Sequence, residues 1–366
     1  MTQANKRKIL VFLAVVLAIF IVVSIVATVF VAQQMKEEFG RAERREYSTG
    51  ILYSDYEMMY PRSEISFYSG KNLLRGYLYG EGNTDGIVII SHGIGGGADD
   101  YMAETFRFVS AGYEVLAYNN TGSYESEGEG TMGLTQSYLD LDAALDFVES
   151  DARFEDLPIY LYGHSWGGYA VAAVLKEDHH IAAAVSVAGY NNPNEMIKEW
   201  TENSMGLIQS QLASPYIALY NFLKFGFKSN ISATDAINST NTPILIAHGR
   251  NDLTVSYGRA SIISHRYEIT NPKAQFYTGE KLGQDGHNTL FMSQTSVTYS
   301  LKLDQELAAL KAQYGEELPD EVKREFYENI DRDYLNMLDG DFMQMVIDFF
   351  RSARPEDDFL KQLLGQ

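Results

Sequence analysis

Cysteine is absent from the 366 residues. That excludes a disulfide framework, a thiolate metal site and a cysteine nucleophile, and it leaves the compartment open. Basic residues are scarce, 29 Lys and Arg against 49 Asp and Glu, for a formal net charge of −20. Nucleic acid is excluded as a partner on that ground, because binding a phosphate backbone takes Lys and Arg to neutralise it. No H-E-x-x-H pair or cluster of histidines marks a catalytic metal, and Asp331-x-Asp333 and Asp339-Gly340-Asp341 lack calcium-loop spacing. In the glycine-rich loop at 93–97 neither a P-loop lysine nor G-x-G-x-x-G marks a phosphate site. No cofactor and no metal is therefore expected. There is no repeat of fixed period, no low-complexity tract and no second apolar run of membrane length. What remains is ordinary for a globular chain, 45% hydrophobic and 21% charged residues, at a length that suits one large domain with additions.

The exception is the N-terminus. Residues Ile9 to Ala32 carry no charge, with only Ser24 and Thr28 mildly polar. A helix of that length would be about 36 Å long, enough to cross a bilayer core of roughly 30 Å. A cleaved signal peptide has a shorter apolar stretch and a small-x-small cleavage site, and a soluble core helix is rarely apolar around its whole circumference. The segment reads as an uncleaved single-pass anchor, with the lipid bilayer as its partner. Lys6, Arg7 and Lys8 abut it on one side, while Lys36, Arg41, Arg44 and Arg45 are mixed with Glu37, Glu38, Glu43 and Glu46 on the other. The basic cluster favours a cytoplasmic N-terminus and an extracytoplasmic body.

From residue 64 short apolar runs alternate with helical spacing: a hairpin around Ser69-Gly70, then GIVIIS at 86–91, YEVLAY at 113–118, PIYLY at 158–162, IAAAVSV at 181–187, PILIA at 243–247 and residues 274–277. Strands alternating with helices predict an α/β fold, a mostly parallel sheet covered on both faces, with ligands at the carboxyl ends of the strands. The expected organisation is a tail (1–8), the anchor (9–32), a juxtamembrane linker (33–63), a catalytic domain (64–292) with a helical cap inserted at 191–238, and an acidic helical C-terminal extension (293–366) packing on the domain. That extension holds 16 acidic and 8 basic residues from 301 onward.

The motifs follow the strands. Gly163-His164-Ser165-Trp166-Gly167-Gly168 matches G-x-S-x-G between PIYLY and a helix, the context of a nucleophile elbow. A serine needs a base at neutral pH, and in this class the chain order is Ser, then acid, then His. Asp252 lies after PILIA, in His248-Gly249-Arg250-Asn251-Asp252, and His287 lies after the last strand, in Asp285-Gly286-His287-Asn288. Asp285 is the rival acid, but it is too near His287 in sequence to sit in a separate loop. The remaining histidines precede the acid or lie in turns and helices, and His248 reads as structural. Ser91-His92-Gly93-Ile94-Gly95-Gly96-Gly97 follows GIVII, where Ile94 would supply one oxyanion-binding amide and Trp166, after the nucleophile, the other.

With HGIGGG, YNNTGSYESEG, GHSWGG, GRND and DGHN in this order, the chain resembles the α/β-hydrolase fold superfamily over about residues 64–292. The branch is that of monoacylglycerol lipase-like and serine aminopeptidase-like hydrolases. The resemblance implies a catalytic triad of Ser165, Asp252 and His287, an oxyanion hole at Ile94 and Trp166, and a cap matching 191–238. One loop departs from it: many relatives carry D-x-R-G-x-G-x-S-x-G where this chain has Asn119-Asn120-Thr121-Gly122-Ser123-Tyr124-Glu125-Ser126-Glu127-Gly128.

Three functions stay open. The first is a membrane-anchored serine esterase acting on a small-molecule or lipid-like acyl substrate, with the apolar cap admitting an acyl chain. The second is a peptidase or amidase, with a cap carboxylate such as Glu195 or Glu199 capturing an amine. The third is a catalytically inactive binding protein.

Overall fold

Period-two alternation sorts the central strands onto two cores. The computed structural model describes residues 3–354. In β3 (Ile87–Ser91), Ile87 and Ile89 face one core while Val88 and Ile90 face the other. β4 (Glu114–Tyr118) and β5 (Ile159–His164) split the same way, Leu161 to one side and Tyr160 and Tyr162 to the other. Strands with two apolar faces need helices on both sides of the sheet. Around them stand β1 (Arg62–Ser69), β2 (Asn72–Tyr79), β6 (Ile181–Val187), β7 (Ile244–Gly249) and β8 (Ala274–Gly279). The sheet order is β1-β2-β4-β3-β5-β6-β7-β8. Only the pairs β1–β2 and β2–β4 are antiparallel. The hairpin joining β1 to β2 turns at Gly70, whose φ of 57° suits a residue without Cβ.

One face is covered by α3 (Gln136–Ser150), α4 (Trp166–Ala173) and α7 (Ala233–Asn238), and the other by α2 (Met102–Ser110) and α11 (Gly340–Ser352). α11 buries Phe342, Met343, Val346, Ile347 and Phe350, and the Phe350 ring packs 4.8 Å from that of Tyr160. Part of the expected C-terminal extension is therefore core, because the apolar face of this run covers that side of β5 and β6 beside α2. The excursion proper comprises α8 (Gln294–Tyr314), α9 (Asp320–Glu328) and α10 (Arg332–Leu335). Its ends meet, with Ser293 N–H donating to Met337 C=O at 2.8 Å. Residues 355–366 of the expected extension, like 1–2 of the tail, lie outside the described residues.

α1 (Gln3–Glu38) is long and apolar enough to cross a membrane, with a mean hydropathy of 3.5 over its most apolar stretch. Only its C-terminal half touches the body, through a stripe of Ser24, Ala27, Thr28, Val31, Ala32 and Met35 at helical spacing. Its partner is the cap. Between β6 and β7 run α5 (Pro193–Met205) and α6 (Leu207–Phe225), and α6 lies along α1 with Tyr216 OH 3.4 Å from Ser24 Oγ. The two mildly polar residues of the apolar run are thus on the face turned to the protein.

Candidate active site

Ser165 lies between β5 and α4 at φ 57°, ψ −112°, a backbone state that costs a non-glycine residue about 1–3 kcal/mol. The surroundings enforce it: Ser165 N–H donates to Val187 C=O of β6 at 2.8 Å. The turn lifts the hydroxyl above the carboxyl ends of the strands, where the loops after β7 and β8 meet it. His287 Nε2 is 2.9 Å from Ser165 Oγ, and His287 Nδ1 is 2.7 Å from Asp252 Oδ2. The structure brings the three residues singled out in the sequence into one hydrogen-bonded line. Asp285 is elsewhere engaged, accepting from Asn251 Nδ2 at 2.6 Å, and braces the two loops against each other.

Asp252 is almost fully buried. Burial alone would raise its pKa, but the hydrogen bonds from His248 and His287 outweigh that and hold it well below the usual carboxylate range. Its Oδ1 accepts the amides of Thr254 and Val255 at 2.8 and 2.9 Å. Its Oδ2 takes His287, with His248 Nε2 at 3.1 Å. His248 also donates to Val255 C=O at 2.9 Å. It stands four residues before Asp252, a spacing visible in the sequence, yet its contact with the acid was not foreseen.

A second network was not foreseen either. Gly93 N–H donates to Tyr101 OH at 2.9 Å, and Tyr101 OH lies 2.8 Å from His164 Nδ1. His164 Nε2 donates to the His287 carbonyl at 3.1 Å. Burial, with His287 beside it, pushes the His164 pKa down to about 3, so it is neutral and its one N–H is fixed at Nε2. The oxyanion loop, the elbow and the base's loop are thereby tied together. No motif marks Tyr101.

Ile94 lines the cleft beside Ser165. Trp166 is the first residue of α4, so its amide has no partner within the helix. Its indole is buried and donates to Leu134 C=O at 2.8 Å. His92 underpins the loop by donating to Gly93 C=O at 2.7 Å and accepting from the Asn120 amide at 2.9 Å. The cleft over Ser165 has a volume of about 520 Å³, in the range of sites that hold one small molecule.

The expected role of the cap changes. Among its residues only Trp200 lines the cleft. Leu207, Ile208, Leu212, Leu219, Phe222 and Leu223 of α6 are exposed or turned toward α1, because α6 packs along the anchor rather than over Ser165. Glu199 is buried and accepts the amides of Ser256 and Ala260 at 3.0 and 2.9 Å, and Glu195 accepts from Asn191. Neither lines the cleft.

The serine aminopeptidase S33 (Hydrolase_4) family model matches residues 82–221. Monoglyceride lipase of Homo sapiens is 26% identical over 121 residues, which is 32% of this chain and 40% of that one. The matched segments span about two fifths of the length of the curated relatives. An α/β hydrolase structure from Vibrio vulnificus superposes with a TM-score of 0.54 at 16% identity, over 76% of this chain and 93% of that one. An esterase structure from Pyrococcus furiosus does so with 0.52 at 18%, over 75% and 98%. With this strand order and these matches, the chain has the α/β-hydrolase fold, and over residues 82–221 it is similar to the serine aminopeptidase S33 family.

Proposed function

We propose that the chain is a membrane-anchored serine hydrolase that cleaves carboxylic esters through an acyl-enzyme intermediate. The hydrogen-bonded line from Asp252 through His287 to Ser165, on a strained elbow open to a cleft, carries this reading. Ser165 Oγ attacks the ester carbonyl and its proton passes to His287 Nε2. Asp252 stabilises the imidazolium, and the amides of Ile94 and Trp166 receive the oxyanion. Collapse expels the alcohol, which takes the proton back from His287. Water then repeats the sequence and releases the acid. No metal or cofactor enters the scheme.

The serine aminopeptidase match supports a peptidase or amidase as the second reading. The likeness to monoglyceride lipase favours the ester, and the carboxylates at the cleft bear on the alternative. Asp99 is paired with Arg44 and Arg62 at 2.8 and 2.7 Å, and Asp100 accepts from Tyr124 OH and the Gly97 amide. Among the described residues lining the cleft, Asp100 is thus the one carboxylate without a basic partner, and it is the group that would receive a substrate ammonium in the amidase reading. Full-length protein in detergent is expected to turn over p-nitrophenyl esters and to leave aminoacyl p-nitroanilides intact. Anilide turnover without ester turnover would replace the esterase by the peptidase, and silence toward both would leave an inactive binding protein.

α1 supplies the anchor in this reading, with the N-terminus cytoplasmic and the catalytic body on the other side. Protease added to intact cells should then degrade the body. A body protected until the cells are lysed reverses the orientation, and release into the soluble fraction by a salt wash sinks the anchor.

A further inference from the structure

The juxtamembrane linker is not a free tether. Residues 44–53 supply about a third of the cleft lining, with Ser48, Thr49, Gly50, Ile51 and Leu52 on the same cleft as Ser165 and His287. This stretch is mostly irregular, and holding each such residue in place costs about 1–2 kcal/mol of backbone entropy. The contacts that offset this cost come from two places.

The first is the loop at 119–130, where the chain departs from the family pattern. Ala42 N–H donates to Gly122 C=O and Tyr124 N–H to Ala42 C=O, both at 2.9 Å. Arg41 donates to the carbonyls of Ser126 and Gly128 at 2.9 and 3.0 Å. The Arg44 guanidinium lies 4.6 Å from the Tyr124 ring centroid and bonds Glu125 and Asp99. Of the residues that replace the family pattern, Tyr124 is the one that seats the linker, and the other contacts go to Glu125 and to the backbone carbonyls of Gly122, Ser126 and Gly128.

The second is the excursion α8–α10. Arg332 donates to Ser48 C=O at 3.2 Å, and Asn336 to Thr49 C=O at 2.9 Å. Tyr47 stacks on Tyr327 at 5.2 Å between centroids, and Tyr56 OH donates to Asp333. Two stretches remote in sequence, one before the catalytic fold and one inserted near its end, thus meet at the linker that lines the cleft.

We propose that segment 48–52, clamped by Arg332 and Asn336, is the specificity wall of the site: it limits the size of the ester that reaches Ser165, and the excursion α8–α10 exists to hold it there. The substrate class is then a compact ester filling a bounded cleft, not a chain running along an open groove. This rests on the serine-hydrolase reading for its catalytic consequence, though not for the docking itself.

The test uses the full-length Arg332→Ala/Asn336→Ala variant, neither residue of which lines the cleft. Two fluorophosphonates, diisopropyl fluorophosphate and a bulky biotinylated one, report access to Ser165. A p-nitrophenyl acetate and decanoate pair reports turnover. Releasing the wall should leave the acetate and the small probe within about twofold and raise kcat/KM for the decanoate, and labelling by the bulky probe, roughly tenfold. Equal changes for small and large substrates would overturn the proposal, since they would mean that the clamp merely supports the catalytic loops. Trypsin cleavage after Arg44 and Arg45 gives a readout independent of catalysis. Slow cleavage in the wild type that quickens in the variant is expected, and fast cleavage in the wild type overturns the wall. If the small probe fails to label wild-type Ser165, the serine-hydrolase reading falls, while cleavage still judges the docking.

Discussion

Ser165→Ala should lower kcat on a p-nitrophenyl ester by about a millionfold. Serine, base and acid form one hydrogen-bonded line, and removing the oxygen leaves His287 with no proton to take. The oxyanion donors proposed at Ile94 and Trp166 remain, so a residual acceleration of about 10³–10⁴ over water should survive. Because the line acts as a unit, His287→Ala should cost about as much as Ser165→Ala, and the double variant no more than either alone. Steady-state rates on the two single variants and the double decide it. A Ser165→Ala protein that keeps more than about a hundredth of wild-type kcat would remove Ser165 from the nucleophile's role. Costs that multiply in the double variant would mean that His287 acts independently of it.

Gly167→Ala should destabilise the fold by about 3 kcal/mol, a fall in Tm of roughly 5–10 °C. A Cβ at Gly167 would lie 1.8 Å from Ser91 O and 2.4 Å from Ser91 C. Those are backbone atoms at the end of β3, which pairs with β5 through Ser91 and Gly163. No side chain can rotate away to make room. Either α4 lifts off the sheet or β3 separates from β5, and both routes displace the elbow between them. Activity should fall with stability, because Ser165 is carried by the same turn. Thermal unfolding followed by circular dichroism, alongside ester turnover, measures both effects. A Tm within about 1 °C of wild type would show that the elbow is looser than this packing requires. The second glycine of G-x-S-x-G is thus needed for the close approach of helix to sheet, while the strained φ belongs to Ser165 itself.

The reach of the sequence can be followed residue by residue. Strands such as IVIIS and IYLYGH were legible because alternation has a period of two and both faces are apolar, so the pattern itself demands burial on two sides. Ser165, Asp252 and His287 were legible because chemistry restricts residue types and a mostly parallel sheet puts its functional loops after strands. The apolar run of α1 was legible from length alone. Asp252 was separable from Asp285 by its distance in sequence from His287, and the structure shows the two aspartates in different hydrogen-bond networks.

What tertiary structure decided has no local pattern behind it. Tyr101 reaches His164 across 63 positions, and His164 reaches His287 across 123, so no spacing rule connects them. The apolar cap could equally have faced the cleft or the anchor, since α6 is apolar around most of its circumference, and packing against α1 chose the second. The linker reads as a charged spacer because its carbonyls carry no side-chain signature, yet Arg332 and Asn336, more than 280 positions away, bond them and turn it into a wall of the site. By itself the sequence determined the fold class, the membrane-length helix and the three side chains that meet in one hydrogen-bonded line, because these follow from periodicity, length and chemical type. Only the tertiary structure decided what encloses Ser165, because enclosure depends on side chains and carbonyls that meet across the whole chain.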